Sequence, residues 1–176
     1  MSIVDLGGLS VSESAYRRAR QIVESKPEGG RKSANDVLAS LRQMMPGWNI
    51  STSSSNWGEG FRNIEIDSGI LNRMAEDPET MIRYKALILD LEDTVPALEA
   101  WAQQNEGPPL NFGITIDANG NSRALAIVKT LMGSEMRTTF DLPNDRPSWA
   151  ALISQKLEAL IQGQAEDVDG SRSWLG

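Results

Sequence analysis

Apolar positions along the chain recur with two periods, one near 3.6 and one near 2, and the blocks are separated by glycine and proline. Ser10 and Glu13 are spaced as a capping box, which predicts a helix running to about Ser25 with Ala15, Ala19, Ile22 and Val23 on its apolar stripe. Lys26-Pro27-Glu28-Gly29-Gly30 breaks it. A second helix is predicted from near Ser33, with Asp36 three residues on, and Val37, Leu38, Leu41, Met44 and Met45 share one face before Pro46-Gly47. The clearest block follows Asp77-Pro78-Glu79, a capping aspartate before a proline suited to the first helical position. Met81, Tyr84, Ile88, Leu91, Val95 and Leu98 then alternate steps of three and four, nearly a heptad seam long enough to serve a dimer. Pro96 is expected to kink this helix or restart it, because it lacks a donor and crowds the preceding turn. A last helix is predicted from about Ser148 to Gln162, with Trp149, Leu152, Ile153, Leu157 and Leu160 facing the core.

The period-2 blocks predict strands. Trp48–Ser51 is a short one, and Phe61–Asp67 alternates Phe61, Ile64 and Ile66 with polar residues. Asp67 or Ser68 then caps a short helix carrying Ile70, Leu71, Met74 and Ala75. Leu110–Ile116 and Arg123–Thr130 flank Asp117-Ala118-Asn119-Gly120-Asn121, and Asn-Gly between two strand patterns is a strong hairpin signal. Arg137–Phe140 adds a further short strand. The fold class is α+β: a small, mostly antiparallel sheet of roughly three to five strands, covered by the long helix and the C-terminal helix, with two helices at the N-terminus. A helical crossover between the strands at Ile64 and Ile114 allows those two to pair in parallel. Residues 1–163 are expected to form one domain, followed by a polar tail over 164–176.

Composition narrows the chemistry more than the fold. The 176 residues include neither cysteine nor histidine, which removes disulfides, thiol nucleophiles, thiolate metal sites and imidazole bases. Absence of cysteine fits a reducing compartment, and the expected location is the cytoplasm. A net charge of −7 disfavours a general nucleic-acid-binding role, which needs a basic surface. Met1–Leu9 lacks the basic start and apolar run of a secretory signal, and the apolar stretch at Ala86–Leu91 is interrupted by Asp90, so no membrane contact is expected.

The chemical constellations each have a plain structural reading beside the functional one. Asp117, Asn119 and Asn121 imitate the opening of a calcium loop, but Ser122 and Val128 stand where the turn glycine and bidentate glutamate belong, so a hairpin turn explains them better. Gly29-Gly30-Arg31-Lys32-Ser33 resembles a phosphate loop without the required spacing. Glu65 with Asp67, and Asp90 with Asp93, are candidate carboxylate pairs for metal or acid–base work, and their positions read more simply as the solvent sides of a strand and of an amphipathic helix. A serine nucleophile among Ser51–Ser55 has no Ser-x-x-Lys partner there. No cofactor is implied. Arg17, Arg18 and Arg20 on the first helix, with Arg31 and Lys32, are candidate anion-binding residues or a solvated face. Five tryptophans exceed the three phenylalanines, and Trp57, Trp174 and Leu175 have no obvious core slot; they are candidate partner contacts, or they fold back over the domain.

The run Asn63 to Glu79, with Leu71, Met74, Ala75, Asp77, Pro78 and Glu79 at its junction, the long helix, and Gly113 to Gly120 together resemble a family of uncharacterised bacterial proteins over residues 61–128. The resemblance implies the same α+β order and a bacterial or phage origin, and it brings no functional residues. The expected role is a non-catalytic interaction module (adaptor, inhibitor or assembly subunit) acting through a protein partner or self-association. The alternatives are a protein that binds or sequesters a small ligand or anion, and a carboxylate metalloenzyme.

Overall fold

The computed structural model describes residues 3–6, 9–25, 33–104, 110–129 and 135–166. Two short strands, β1 (Ile3–Asp5) and β2 (Ser10–Ser12), pair antiparallel ahead of helix α1 (Glu13–Ser25). The predicted capping serine at position 10 is therefore a strand residue opposite Asp5, and Ser12 does the capping, its Oγ accepting from the Ala15 N–H at 3.3 Å. Helix α2 (Ala34–Met44) begins at the predicted box: Ser33 Oγ accepts from Asp36 N–H, and Asp36 accepts from Ser33 N–H.

Strands β3 (Asn49–Ser51), β4 (Asn63–Ile66), β5 (Leu110–Ile116), β6 (Ser122–Lys129) and β7 (Glu135–Asp141) form one sheet in that order. β3–β4 and β4–β5 are parallel and β5–β6–β7 antiparallel, so the sheet is mixed and most of its ladder is antiparallel. The parallel step is the one the crossover allows, with Ile64 opposite Ile114. That crossover holds α3 (Ser68–Glu76), capped by Asp67, and α4 (Pro78–Gln104). Asp77 caps α4 in turn. The Thr80 hydroxyl donating to it at 2.7 Å, helped by the Glu79 N–H, holds its carboxyl below the ordinary carboxylate range. The contribution of that cap is present above the unfolded-state pKa and fades as pH falls through the lower, folded one. α4 continues past Pro96 as one helix instead of restarting, with Pro96 on its exposed side.

Every residue from Tyr84 to Leu91 is buried. α4 is the centre of the molecule: α1 packs on it through Ala15 and Ala19, α3 and α5 (Trp149–Glu166) meet it elsewhere, and it joins Ile64, Ile66, Phe112, Ile114, Ile116, Ala124 and Ala126 of the sheet in one core cluster. The heptad-like seam is therefore covered from within the chain and is not available to a second helix, which corrects its reading as a dimer surface. α5 continues to Glu166, beyond the Gln162 expected from its apolar spacing.

The hairpin loop closes with Asp117 N–H on the Asn121 carbonyl (3.0 Å) and Gly120 N–H on the Asp117 carbonyl (2.9 Å). Among the described residues no non-glycine has positive φ, so the turn is a type I turn followed by Gly120 at φ +82°. A Cβ at Gly120 would sit 2.4 Å from the Tyr84 hydroxyl. Gly120→Ala is expected to lower unfolding free energy by about 2 kcal/mol in urea titrations, combining left-handed strain with overpacking. In a Tyr84→Phe background the same change is expected to cost about half as much, because only the backbone strain remains.

Candidate functional site

The sequence hides one polar cluster inside the core. Asp90 is 0 % exposed and Arg146, in the 3-10 turn Arg146–Ser148 before α5, is 3 % exposed. The Arg146 Nε donates to Asp90 Oδ2 and Arg146 Nη1 donates to Thr94 Oγ1 at 3.0 Å. Ser12 completes the set: its N–H reaches Asp90 Oδ2 at 2.9 Å and its hydroxyl reaches Asp90 Oδ1 at 2.7 Å. Both carboxylate oxygens thus accept donors fixed by other elements, and the group is buried. A carboxylate so engaged positions β2, α4 and the α5 approach against one another. The expectation that Asp90 lies on a polar helix side is corrected here, because α4 has no solvent side at that level. A signal for this was present in Ile82, Ala86, Leu87 and Leu89, apolar residues off the seam that make the helix apolar nearly all round. The side chain of Asp93 lies outside the described residues.

On the sheet face away from α4, Asn63 ties the preceding loop down. Its Oδ1 accepts from Asn49 Nδ2 and Gly58 N–H (2.9 Å each), and its Nδ2 donates to the carbonyls of Phe112 (2.8 Å) and Gly58 (3.0 Å). That loop lays Trp57, 7 % exposed, against Leu125 and Ile127. Gly113 makes the seat: a Cβ there would fall 2.4 Å from the Asn63 carbonyl and 2.7 Å from the Trp57 ring. Of its two readings, Trp57 takes the folded-back one, and as an exposed partner contact it is corrected. Glu65 accepts from Ser54 N–H (3.0 Å) and Asp67 from Gly69 N–H (2.7 Å), so this carboxylate pair serves the loop and a helix cap. Among the described residues no group of three or more Asp or Glu is placed to hold a metal ion.

The first-helix arginines stay on their own helix. Arg17 pairs with Glu13 (3.2 Å) and Arg20 with Glu24 (3.0 Å), and Arg18 is exposed. Arg17 and Arg20 border a shallow groove of about 500 Å³ with Val4, Tyr16 and Gln21, where each already has a carboxylate beside it, and Arg18 does not line it. Arg31, Lys32, Trp174 and Leu175 lie outside the described residues. A second hollow of about 470 Å³ lies beside the hairpin, between Asp117, Asn121, Arg123 and Asp141. Asp117 Oδ1 there accepts the N–H groups of Asn119 and Asn121 (2.9 Å each), which is the turn chemistry that imitated a calcium loop.

The remaining feature is an edge. β7 ends the sheet, pairs with β6 without a bulge from Glu135 to Asp141, and has no strand on its outer side among the described residues. Leu142 N–H bonds the Ser122 carbonyl (3.0 Å), so by antiparallel alternation residues 136, 138 and 140 turn their backbone groups to β6. Arg137, Thr139 and Asp141 then turn theirs outward. The opposite edge, β3, is three residues long. Short edges resist pairing and long flat ones invite it. Sequence reasoning saw β7 as four residues and had no means of seeing that it ends the sheet.

These observations define an α+β protein with a buried Asp–Arg hub and a mixed sheet whose β7 edge carries no further strand among the described residues. The chain belongs to the family described as Protein of unknown function (DUF6033), which matches residues 50–139, from within β3 to within β7. No curated protein and no solved structure matches the chain. Among the described residues no helix is long and apolar enough to cross a membrane.

Asp90→Ala strands the Arg146 guanidinium in the core and is expected to cost about 3–5 kcal/mol in urea denaturation. Ser12→Ala, which removes one Asp90 donor together with the α1 cap, is expected to cost about 1–3 kcal/mol. The paired change Asp90→Leu/Arg146→Met is expected to recover most of the loss, and its failure to do so would show that the ion pair itself, not relief of an unpaired charge, carries the stability.

Proposed function

We propose that the chain is a non-catalytic protein-interaction module, an adaptor, inhibitor or assembly subunit that works by binding another folded chain. The observation that carries this reading is the outer edge of β7: seven residues of regular strand, ending the sheet, with three outward-facing exposed positions at Arg137, Thr139 and Asp141. Such an edge offers main-chain donors and acceptors in the spacing that strand addition uses. The internal bonding of Asp90, Glu65, Asp67 and Asp117 gives the same reading indirect support, because each of these carboxylates already has a structural task. The resemblance of residues 61–128 supports a bacterial or phage origin, and a cytoplasmic setting fits a chain without cysteine.

Thr139→Pro tests the edge. The Thr139 N–H faces outward, so proline there leaves the β6–β7 ladder its bonds while removing a donor and adding bulk outside. The wild-type chain, immobilised and cross-linked in host lysate, is expected to hold a stoichiometric protein partner (its own kind or another), and the Thr139→Pro chain, folded by circular dichroism, is expected to lose it. A wild-type chain that engages no protein, and whose melting temperature instead rises by several degrees with a small anion or metabolite, overturns the reading in favour of ligand binding.

A further inference from the structure

We infer that the occupant of the β7 edge is a second copy of this chain, paired antiparallel about a two-fold axis through Thr139. The inference rests on the interaction-module reading and names its partner. Symmetry restricts the choices, because a two-fold axis across an antiparallel edge requires each copy to present the same residues to the other. The outward backbone groups belong to the odd-numbered residues, so odd must face odd, and the axes that keep at least five of the seven strand residues paired are those centred on residues 137, 138 or 139.

Charge selects among them. Centred on 137, two guanidinium groups would stand directly opposite each other. Centred on 138, Arg137 of each copy would face Thr139 of the other, and Asp141 would have no arginine of the partner strand opposite it. Centred on 139, Arg137 of one copy faces Asp141 of the other, twice by symmetry, and Thr139 faces Thr139 on the axis. Both ends of that pair are accessible: Asp141 has 82 % of its side chain exposed where it meets Arg123, and Arg137 is exposed where it donates to Ser54 Oγ (2.8 Å). Asp141 would then lie between Arg123 of its own sheet and Arg137 of the other copy. On the helix side the same register sets Thr138 beside Phe140 and Met136 beside Leu142, covering the half-buried Met136 and Phe140. The two five-stranded sheets become one continuous sheet, and the edge that has no strand beside it among the described residues is paired.

Light scattering on the purified full chain is expected to give twice its 19.3 kDa mass. Arg137→Asp puts two aspartates opposite each other and Asp141→Arg puts two arginines, and each is expected to weaken the dimer by about tenfold or more. The double swap Arg137→Asp/Asp141→Arg restores opposite charges and is expected to restore the dimer. Because the chain has no cysteine, Thr139→Cys adds a single thiol, which is expected to cross-link the two copies on mild oxidation. Circular dichroism confirms that each variant is folded. A wild-type chain that stays monomeric at about 1 mM overturns the inference. So does a dimer indifferent to both charge reversals, a double swap that remains monomeric, or cross-linking through Thr138→Cys in preference to Thr139→Cys. A monomer that binds a different protein through β7 sinks the second copy and leaves the interaction reading standing; a monomer that binds no protein sinks both.

Discussion

A carboxylate with no access to water holds this fold in register. Removing Asp90 and Arg146 from solvent costs several kcal/mol per ion, and their attraction offsets that cost only when every lone pair and donor is placed. Here the placement draws on three separate stretches of chain: the Ser12 backbone and hydroxyl at the start of α1, Asp90 and Thr94 one turn apart on α4, and Arg146 just before α5. Hydrophobic contact alone would let these elements slide along α4, since apolar attraction is non-directional. Directional bonds to a buried charge penalise every displaced arrangement, so the cluster specifies position even where its net contribution to stability is small. The nearby bond from Ser10 N–H to the Asn144 carbonyl (2.7 Å) fastens the same two outlying segments a second time.

The hub also links the family segment to the rest of the chain. Asp90 and Thr94 lie within residues 50–139, whereas Ser12 and Arg146 lie outside. The segment that the family shares therefore contains a buried acid whose recorded partners are supplied by the flanking N- and C-terminal parts of this chain. Among the described residues the buried stretch of α4 is enclosed by α1, α3, α5 and the sheet, and the two edges of that sheet differ: β7 is seven residues long, regular and unbulged, and β3 is three residues long.

Local pattern carried much of this architecture. Capping chemistry at Ser33, Asp67 and Asp77 set three helix starts within a residue, because a side chain that satisfies an orphan N–H acts over only three or four positions. The Asn-Gly hairpin was legible from turn chemistry, and a helical crossover joining two apolar strands allowed their parallel pairing, whose register, Ile64 opposite Ile114, came from the structure. The candidate site was much less legible. Trp57 stood in a loop rich in serine and glycine with nothing nearby to receive it; its seat is made by Gly113, Leu125 and Ile127, all more than fifty residues away. The first-helix arginines looked like a basic patch, but i,i+4 pairing with Glu13 and Glu24 balances two of the three.

By itself the sequence determined the five helices, the five strands of the main sheet, their order and the α+β class, since each follows from periodicity, caps and turns within a short window. It also determined that no imidazole or thiol chemistry is available, a matter of composition alone. Only the tertiary structure decided which side of each element is inside. Asp90 looked solvent-facing because a seam on one side of α4 implied a polar side opposite, and that inference failed once α1 was packed over it. The two-stranded β1–β2 pair, too short to register as a pattern, exists because β2 is held between α4 and the Asn144–Arg146 segment. Which strand ends the sheet is likewise a property of strand order, and strand order is set by packing between segments that no local window spans.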